Sequence, residues 1–352
     1  MNIFHCTNCL SPVYFENTSC ERCGYNLGFL SEQHAMISAV AQNVHDESIL
    51  FGNHQFRYCD NYQFEVCNWL VPADSSAQYC SACKLNRTIP NLSNSSHYQA
   101  WKNIERAKHR AIYNIQCLRL PVLSKLEAPD EGLAFEFLVN SNDTSIEKSV
   151  QTGHFQGTIT INLNEADSVH RELIRKQMFE PYRTLIGHFR HELGHYYWKQ
   201  LMLKANNLSS FRELFGDETR DYGAALNDYY NYGFNSNWKA HFISRYATSH
   251  PWEDWAETWA HYLHIMDTLE TSFAFGINTD PHLRGGPPMS MESNFDPYEE
   301  IDFNNIIKAF LPLTFAINSI NRSIGISDIY PFILSPEVIK KLNFIHNLLK
   351  AI

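Results

Sequence analysis

Within YRTLIGHFRHELGHYYWKQL, residues 182–201, His191, Glu192 and His195 form an H-E-x-x-H pattern. Histidines at i and i+4 project from one face of a helix, where two imidazoles can share a divalent ion. The glutamate beside them is placed to take a proton from a water that the ion activates, which is the chemistry of metal-assisted hydrolysis. Ile186, Phe189, Leu193 and Tyr197 form one apolar stripe, and no proline stands between Tyr182 and Leu203, so the run reads as a helix that buries a face. The bland reading, a surface helix with two solvated histidines, is the weaker one. His188, one turn upstream, reads as an outer or solvent-facing residue rather than a ligand.

A catalytic zinc takes three protein ligands and keeps a fourth position open. A third histidine six residues after His195 would continue one known pattern, but position 201 is Leu. The other solution is a glutamate from a second helix, and SRYATSHPWEDWAETWAHYLHIMDT (244–268) offers Glu253 and Glu257 on one face. Pro251 suits a first helical turn, with Ser249 or His250 as cap. Ala256 and Ala260 allow a close approach, while Trp252, Trp255 and Trp259 argue that this helix is buried. One glutamate would ligate the metal and the other would orient a histidine from behind; spacing leaves open which does which.

Eight of the nine cysteines fall in the first 83 residues. Cys6, Cys9, Cys20 and Cys23 form two Cys-x-x-Cys knuckles, a complete four-thiolate zinc set. Gly24 suits the turn that closes the second knuckle. Cys59, Cys67, Cys80 and Cys83 make a second set if a hairpin brings the first two together; the alternative for Cys59 and Cys67 is a buried free thiol. Both sets are closed shells with no position left for chemistry, so their zinc ions serve folding. Cys117, alone in a helical stretch, reads as a core thiol.

The elements that must hold these residues follow from the rest of the chain. Its 352 residues, with 44% hydrophobic and 14% aromatic content, exclude disorder over most of the length. No apolar run is long enough to span a bilayer. The opening MNIFHCTNCL lacks the pattern of a secretory signal, which with the paired cysteines points to a cytoplasmic protein. A net charge of −10 without a basic patch argues against nucleic acid as partner. Polar 89–99, with Pro90, reads as a boundary or linker, which predicts a zinc-ribbon domain over 1–95 and a second domain over 96–352. WKNIERAKHRAIYNIQCLRL (101–120) predicts a helix, and LAFEFLV (133–139) and GTITINL (157–163) predict strands of a hairpin or small sheet. Beyond residue 168 the pattern is almost wholly helical, interrupted by a loop at 281–289 and ending in a helix that starts at Ser335-Pro336-Glu337. The fold class is therefore α+β: a ribbon region with two four-cysteine zinc sites, then a mostly helical domain with a small sheet.

The chain resembles the bacterial family of zinc-binding metallopeptidases that carry an amino-terminal zinc ribbon. The resemblance rests on CNWLVPA (67–73), CSACKLNRTIP (80–90), HFRHELGHYYW (188–198), DYGAALNDYYNYG (221–233), HPWEDWAETWAHYLH (250–264) and GISDIYPF (325–332), and covers nearly the whole chain. It implies zinc binding, a zincin-like fold and hydrolysis of peptide or protein substrates. The E-x-x-A-E of the second helix is similar to that of lethal-factor-like gluzincins, in which the first glutamate ligates zinc and a tyrosine seven residues earlier assists the transition state. By position this implies Glu253 as ligand, Glu257 behind a histidine and Tyr246 as the assisting group, with one catalytic and two structural Zn2+ ions. The gap between His195 and Glu253 is longer than in those toxins.

FGDETRDYGAALNDYYNYG (215–233) mixes Asp217, Glu218, Asp221 and Asp228 with Tyr222, Tyr229, Tyr230 and Tyr232. It reads first as a helix packing aromatics on the core, and second as an active-site flank whose tyrosine steadies an oxyanion. Two functions compete: a zinc peptidase whose GTITINL strand is the edge that binds an extended peptide, and a regulatory protein whose ribbons dock a protein partner beside a vestigial site. The complete H-E-x-x-H favours the first.

Overall fold

The computed structural model describes residues 2–39, 49–140, 150, 152–177, 184–203, 207–234, 236–281 and 289–352. The expected loop at 281–289 lies, apart from its two end residues, outside the described residues. The chain forms two compact units, Asn2–Ser168 and Val169–Ile352.

In the first unit, β1 (Phe4–His5) and β2 (Pro12–Val13) pair antiparallel around the first knuckle. The second knuckle closes where the Gly24 amide bonds to the Cys20 carbonyl at 2.8 Å, with Gly24 at φ +75°. The hairpin of β3 (Asn26–Leu30) and β4 (Ala35–Ala39) follows, then an antiparallel sheet of β5 (Ile49–Phe51), β6 (His54–Tyr58) and β7 (Leu70–Pro72). Tyr58 pairs with Leu70, so the segment between β6 and β7 folds back and brings Cys59 to Cys67. Phe15 of the first ribbon, Phe29 of β3 and Trp69 beside β7 meet around Tyr113 of helix α1 (Ser95–Cys117), with Phe15 and Phe29 edge to face on its ring. The ribbons thus share an aromatic core with α1, and each fully buried large side chain contributes roughly 1.5–3 kcal/mol. Asn94 caps α1 through the Ser96 amide, and Cys117 ends it half-buried rather than as a core thiol.

The second ribbon runs straight into β8 (Asn86–Thr88), the edge of a sheet ordered β10-β11-β9-β8, with β9 at Ala134–Leu138, β10 at Gly153–Phe155 and β11 at Thr158–Asn162. Here the structure corrects one expectation. The GTITINL strand is not an edge: β11 pairs antiparallel with β10 and parallel with β9, so both its sides are taken. The cause is a tight turn at Gln156-Gly157, both at positive φ (+47° and +81°), which folds β10 back onto β11.

The second unit contains most of α2 (Ser168–Gln177), then α3 (Leu185–Met202), α4 (Leu208–Phe215), α5 (Tyr222–Tyr232), α6 (Pro251–Phe275), α7 (Phe303–Ser323) and α8 (Pro336–Lys350). Thr184 caps α3 through the Gly187 amide, and Asp221 caps α5 through the Ala224 amide. The α6 cap is His250, whose side chain accepts from the Trp252 amide, with Pro251 at the first turn as its sequence suggests. Phe189, Leu193, Tyr197, Trp255 and Trp259 are fully buried where α3 and α6 face each other. A methyl at Gly194 would stand 3.1 Å from Ala256 Cα and from the Trp259 ring, so this glycine sets the helix separation. Trp255 Nε1 donates to the Gly194 carbonyl at 2.9 Å, and on the other side of α6 Asp254 pairs with Lys341 of α8 at 2.6 Å.

Candidate active site

Because α3 and α6 approach so closely at Gly194, the histidine pair on one faces the glutamates on the other. His191 Nε2 and His195 Nε2 lie 3.2 Å apart. Glu253 reaches both, with Oε2 3.0 Å from His191 Nε2 and Oε1 3.4 Å from His195 Nε2. Three donors each about 2.0–2.1 Å from a tetrahedral zinc would be separated by roughly 3.3–3.4 Å, so the set fits that ion. Glu253 Oε2 is buried and makes no protein hydrogen bond despite its proximity to His191. That is the behaviour of two groups aimed at a common point rather than at each other.

Glu257, one turn further along α6, sits on the opposite side of His191, its Oε1 2.8 Å from Nδ1. Nδ1 must therefore carry a proton and donate, so that when a metal displaces the Nε2 proton it is the Nε2 lone pair that faces the cluster. Burial works against a charge on His191, but Glu253 and Glu257 together hold its pKa well above the usual value. Burial likewise opposes ionisation of Glu253, yet His195 and His191 keep its carboxyl well below the usual range. Glu192 is buried beside them, which pushes its pKa up, and its Oε2 has no hydrogen-bond partner.

Tyr246, in the turn before α6, has its ring 6.0 Å from that of His191. Burial first, then the Glu253 charge, raises its pKa, so the hydroxyl stays protonated and available as a donor. Sequence reasoning undervalued Tyr222, the first residue of α5. Its hydroxyl donates to Glu253 Oε1 at 2.7 Å and lies close enough to interact with Tyr246. Its only signal was membership of the mixed Asp/Tyr segment, whose bland reading fails at this residue. Tyr330, in GISDIYPF, was also missed as a partner: its hydroxyl is 2.9 Å from His261 Nδ1, behind Glu257. His250 is engaged as a cap, and its Nε2 donates to the Arg220 carbonyl at 3.2 Å. Arg190, beside the pair on α3, pairs with Asp267 of α6.

The cysteines gather as two fours, Cys6/Cys9/Cys20/Cys23 and Cys59/Cys67/Cys80/Cys83, in each of which all sulfurs lie within 4.8 Å of one another. Cys6 and Cys23 are 3.6 Å apart, Cys9 and Cys20 3.6 Å, and Cys67 and Cys80 3.7 Å. Sulfurs about 2.3 Å from a tetrahedral zinc stand roughly 3.8 Å apart, far beyond the S–S bond of about 2.05 Å. Both sets fit zinc.

Comparison with known proteins agrees with this chemistry. The family described as "Putative zinc-binding metallo-peptidase" matches residues 97–348, and a zinc-ribbon domain matches residues 3–94. Uncharacterized proteins of Mycobacterium bovis and Mycobacterium tuberculosis are 40% identical over 353 residues, covering 100% of this chain and 96% of each relative. No solved structure matches. Among the described residues no helix is long and apolar enough to cross a membrane.

Proposed function

The chain belongs to the zinc-binding metallopeptidase family, with a zinc ribbon at its amino terminus, and on that premise we propose that it hydrolyses peptide bonds with Glu192 as general base. The carrying observation is Glu192 itself: a buried carboxylate with a bare oxygen, beside two histidines and a second carboxylate, Glu253, that converge on one point. A buried carboxylate oxygen without a hydrogen-bond partner is costly, and a vestigial site would have no reason to retain it. We assign one zinc to each cysteine set, for folding, and a third to His191, His195 and Glu253. Zinc there would lower the pKa of a water toward neutrality and polarise the scissile carbonyl.

The residues divide the remaining work. Glu192 takes the proton of the attacking water and delivers it to the leaving amine. Glu257 fixes the His191 tautomer and ring, and Tyr222 holds Glu253 in place. Tyr246 donates to the developing oxyanion.

The two family matches meet between residues 94 and 97, which supports a ribbon region over 1–95 and a peptidase region over 96–352 as sequence units. The compact units divide instead at Ser168, with α1 and the small sheet packed on the ribbon side. Thiol sets spaced for metal support a reducing, cytoplasmic compartment, and the ribbons are the natural surface for any protein partner. The test is elemental analysis together with a quenched-peptide library. The expected result is three zinc ions per chain and cleavage that disappears in Glu192→Gln. Two zinc ions with no change in His191→Ala, or no cleavage of any peptide, would sink the reading.

A further inference from the structure

Beside Tyr246 the second unit opens a cleft of about 450 Å³ between α5, the residues after it and the turn before α6. Tyr229, Tyr232, Phe234, Trp238 and Phe242 line it, interleaved with polar residues that include His241 and Asn237. Asp228 and Arg220 also line it, and their charges cancel. A further cation already covers one ring, since the Arg245 guanidinium lies 4.6 Å from the Phe234 centroid. With Arg220 and Asp228 balanced in the wall, no net charge selects the guest, and a neutral ring meets other rings. Phe234 and Trp238 stand edge to face, 6.5 Å apart at 86°, a geometry that a third ring can extend. The volume lies within the range of pockets that hold small organic groups.

The cleft adjoins the candidate centre across the Tyr246 ring. Thr248 and Ser249 in its wall follow Tyr246 closely in sequence. The Tyr229 ring is 5.9 Å from that of Tyr246, which is 6.0 Å from that of His191. Those two steps cover no more than about three to four residues of extended chain at roughly 3.3 Å each.

We infer that this cleft receives an aromatic side chain of an extended peptide substrate, within about four residues of the bond that is cut, and that Tyr232 and Trp238 set the preference. The inference rests on the peptidase reading and names its substrate class. The test uses fluorescein-labelled hexapeptides in which Phe, Trp, Leu or Ala is placed at each position in turn. Their binding to zinc-loaded Glu192→Gln protein is followed by anisotropy, and their cleavage by the wild type by chromatography.

The expected result is that one position binds Phe or Trp about tenfold or more tighter than Ala. Adding Tyr232→Ala or Trp238→Ala should remove most of that preference. Tyr232 is 84% exposed, so its truncation leaves the fold intact and keeps the test decisive if Trp238→Ala does not fold. Equal binding of all peptides, no binding, or a preference untouched by Tyr232→Ala overturns the inference. Cleavage by the wild type without aromatic preference overturns it too, while the peptidase function stands. Selective binding without cleavage supports the cleft and removes the peptidase.

Discussion

In the cysteine sets all four donors are sulfur, whereas the α3–α6 centre offers two ring nitrogens and a carboxylate. Four thiolates close the shell; three mixed donors leave a position for water and substrate. The supports differ as much as the donors. The cysteines stand on short hairpins and tight turns, such as the Cys20–Gly24 turn and the fold-back between β6 and β7. His191, His195 and Glu253 stand on long helices whose facing residues are fully buried. The metal would therefore help to make the first kind of site, while the second kind is made by packing before any metal arrives. Loss of metal should unfold one region and merely silence the other.

The largest effect expected follows from that contrast. Structural zinc sites contribute about 10–16 kcal/mol of apparent binding free energy to folding. Cys80→Ser should therefore expose residues 2–168 to limited proteolysis and collapse their near-ultraviolet dichroism, while His195→Ala leaves the protease map of both units unchanged. If Cys80→Ser were as resistant as the wild type, the shared aromatic core around Phe29 and Trp69 would be sufficient without metal, and the contrast would break. Next in size is Glu192→Gln, which keeps its metal and should lower turnover by about 10²–10⁴-fold, since general-base assistance is worth that much. A proportional loss of zinc would show instead that Glu192 supports the site rather than the reaction.

A smaller effect separates the two glutamates of α6. Glu253→Ala should abolish the third zinc in elemental analysis. Glu257→Ala should weaken it by only about 10–100-fold, because Glu257 acts through His191 Nδ1. The reverse outcome would mean that the metal uses the other face of His191, and the role of Tyr246 would fall with it.

Much of this centre was legible because its chemistry is local. Two histidines at i and i+4, Pro251 after His250 and two glutamates one turn apart are each decided within a single helix. What was not legible depends on where elements cross. Tyr222 and Glu253 are far apart in sequence and meet only because Asp221 starts α5 against α6. Spacing left Glu253 and Glu257 equivalent, since both lie on the same face; their separation comes from the α3–α6 approach that Gly194 sets. The β11 strand alternated as expected, but its partner depended on Gln156 adopting positive φ, which its residue type does not advertise.

The finest contrast lies within the first unit, between the two cysteine sets. Cys9 and Cys23 are half-exposed, whereas Cys59, Cys67, Cys80 and Cys83 are all buried. Four thiolates around a divalent ion leave two negative charges, and a buried excess charge is costly unless something opposes it. Helix α1 supplies the opposition. His109 Nε2 is 3.5 Å from Cys83 Sγ, and the fully buried Lys108, paired with Glu105 at 2.8 Å, is stabilised in its charged form by the Cys83 and Cys80 thiolates as well. Among the described residues the first set forms no such metal-ligand grouping with a helix residue. A colorimetric chelator should therefore draw zinc from the ribbons in two phases, with the faster one absent in Cys6→Ser. His109→Ala should speed the slower phase and weaken that site by about tenfold, since the groups behind metal ligands are typically worth 10–100-fold. Should both ribbons release zinc together in the wild type, with His109→Ala unchanged, then neither burial nor α1 governs the exchange. The opening of the hairpin that carries each knuckle would have to govern it instead.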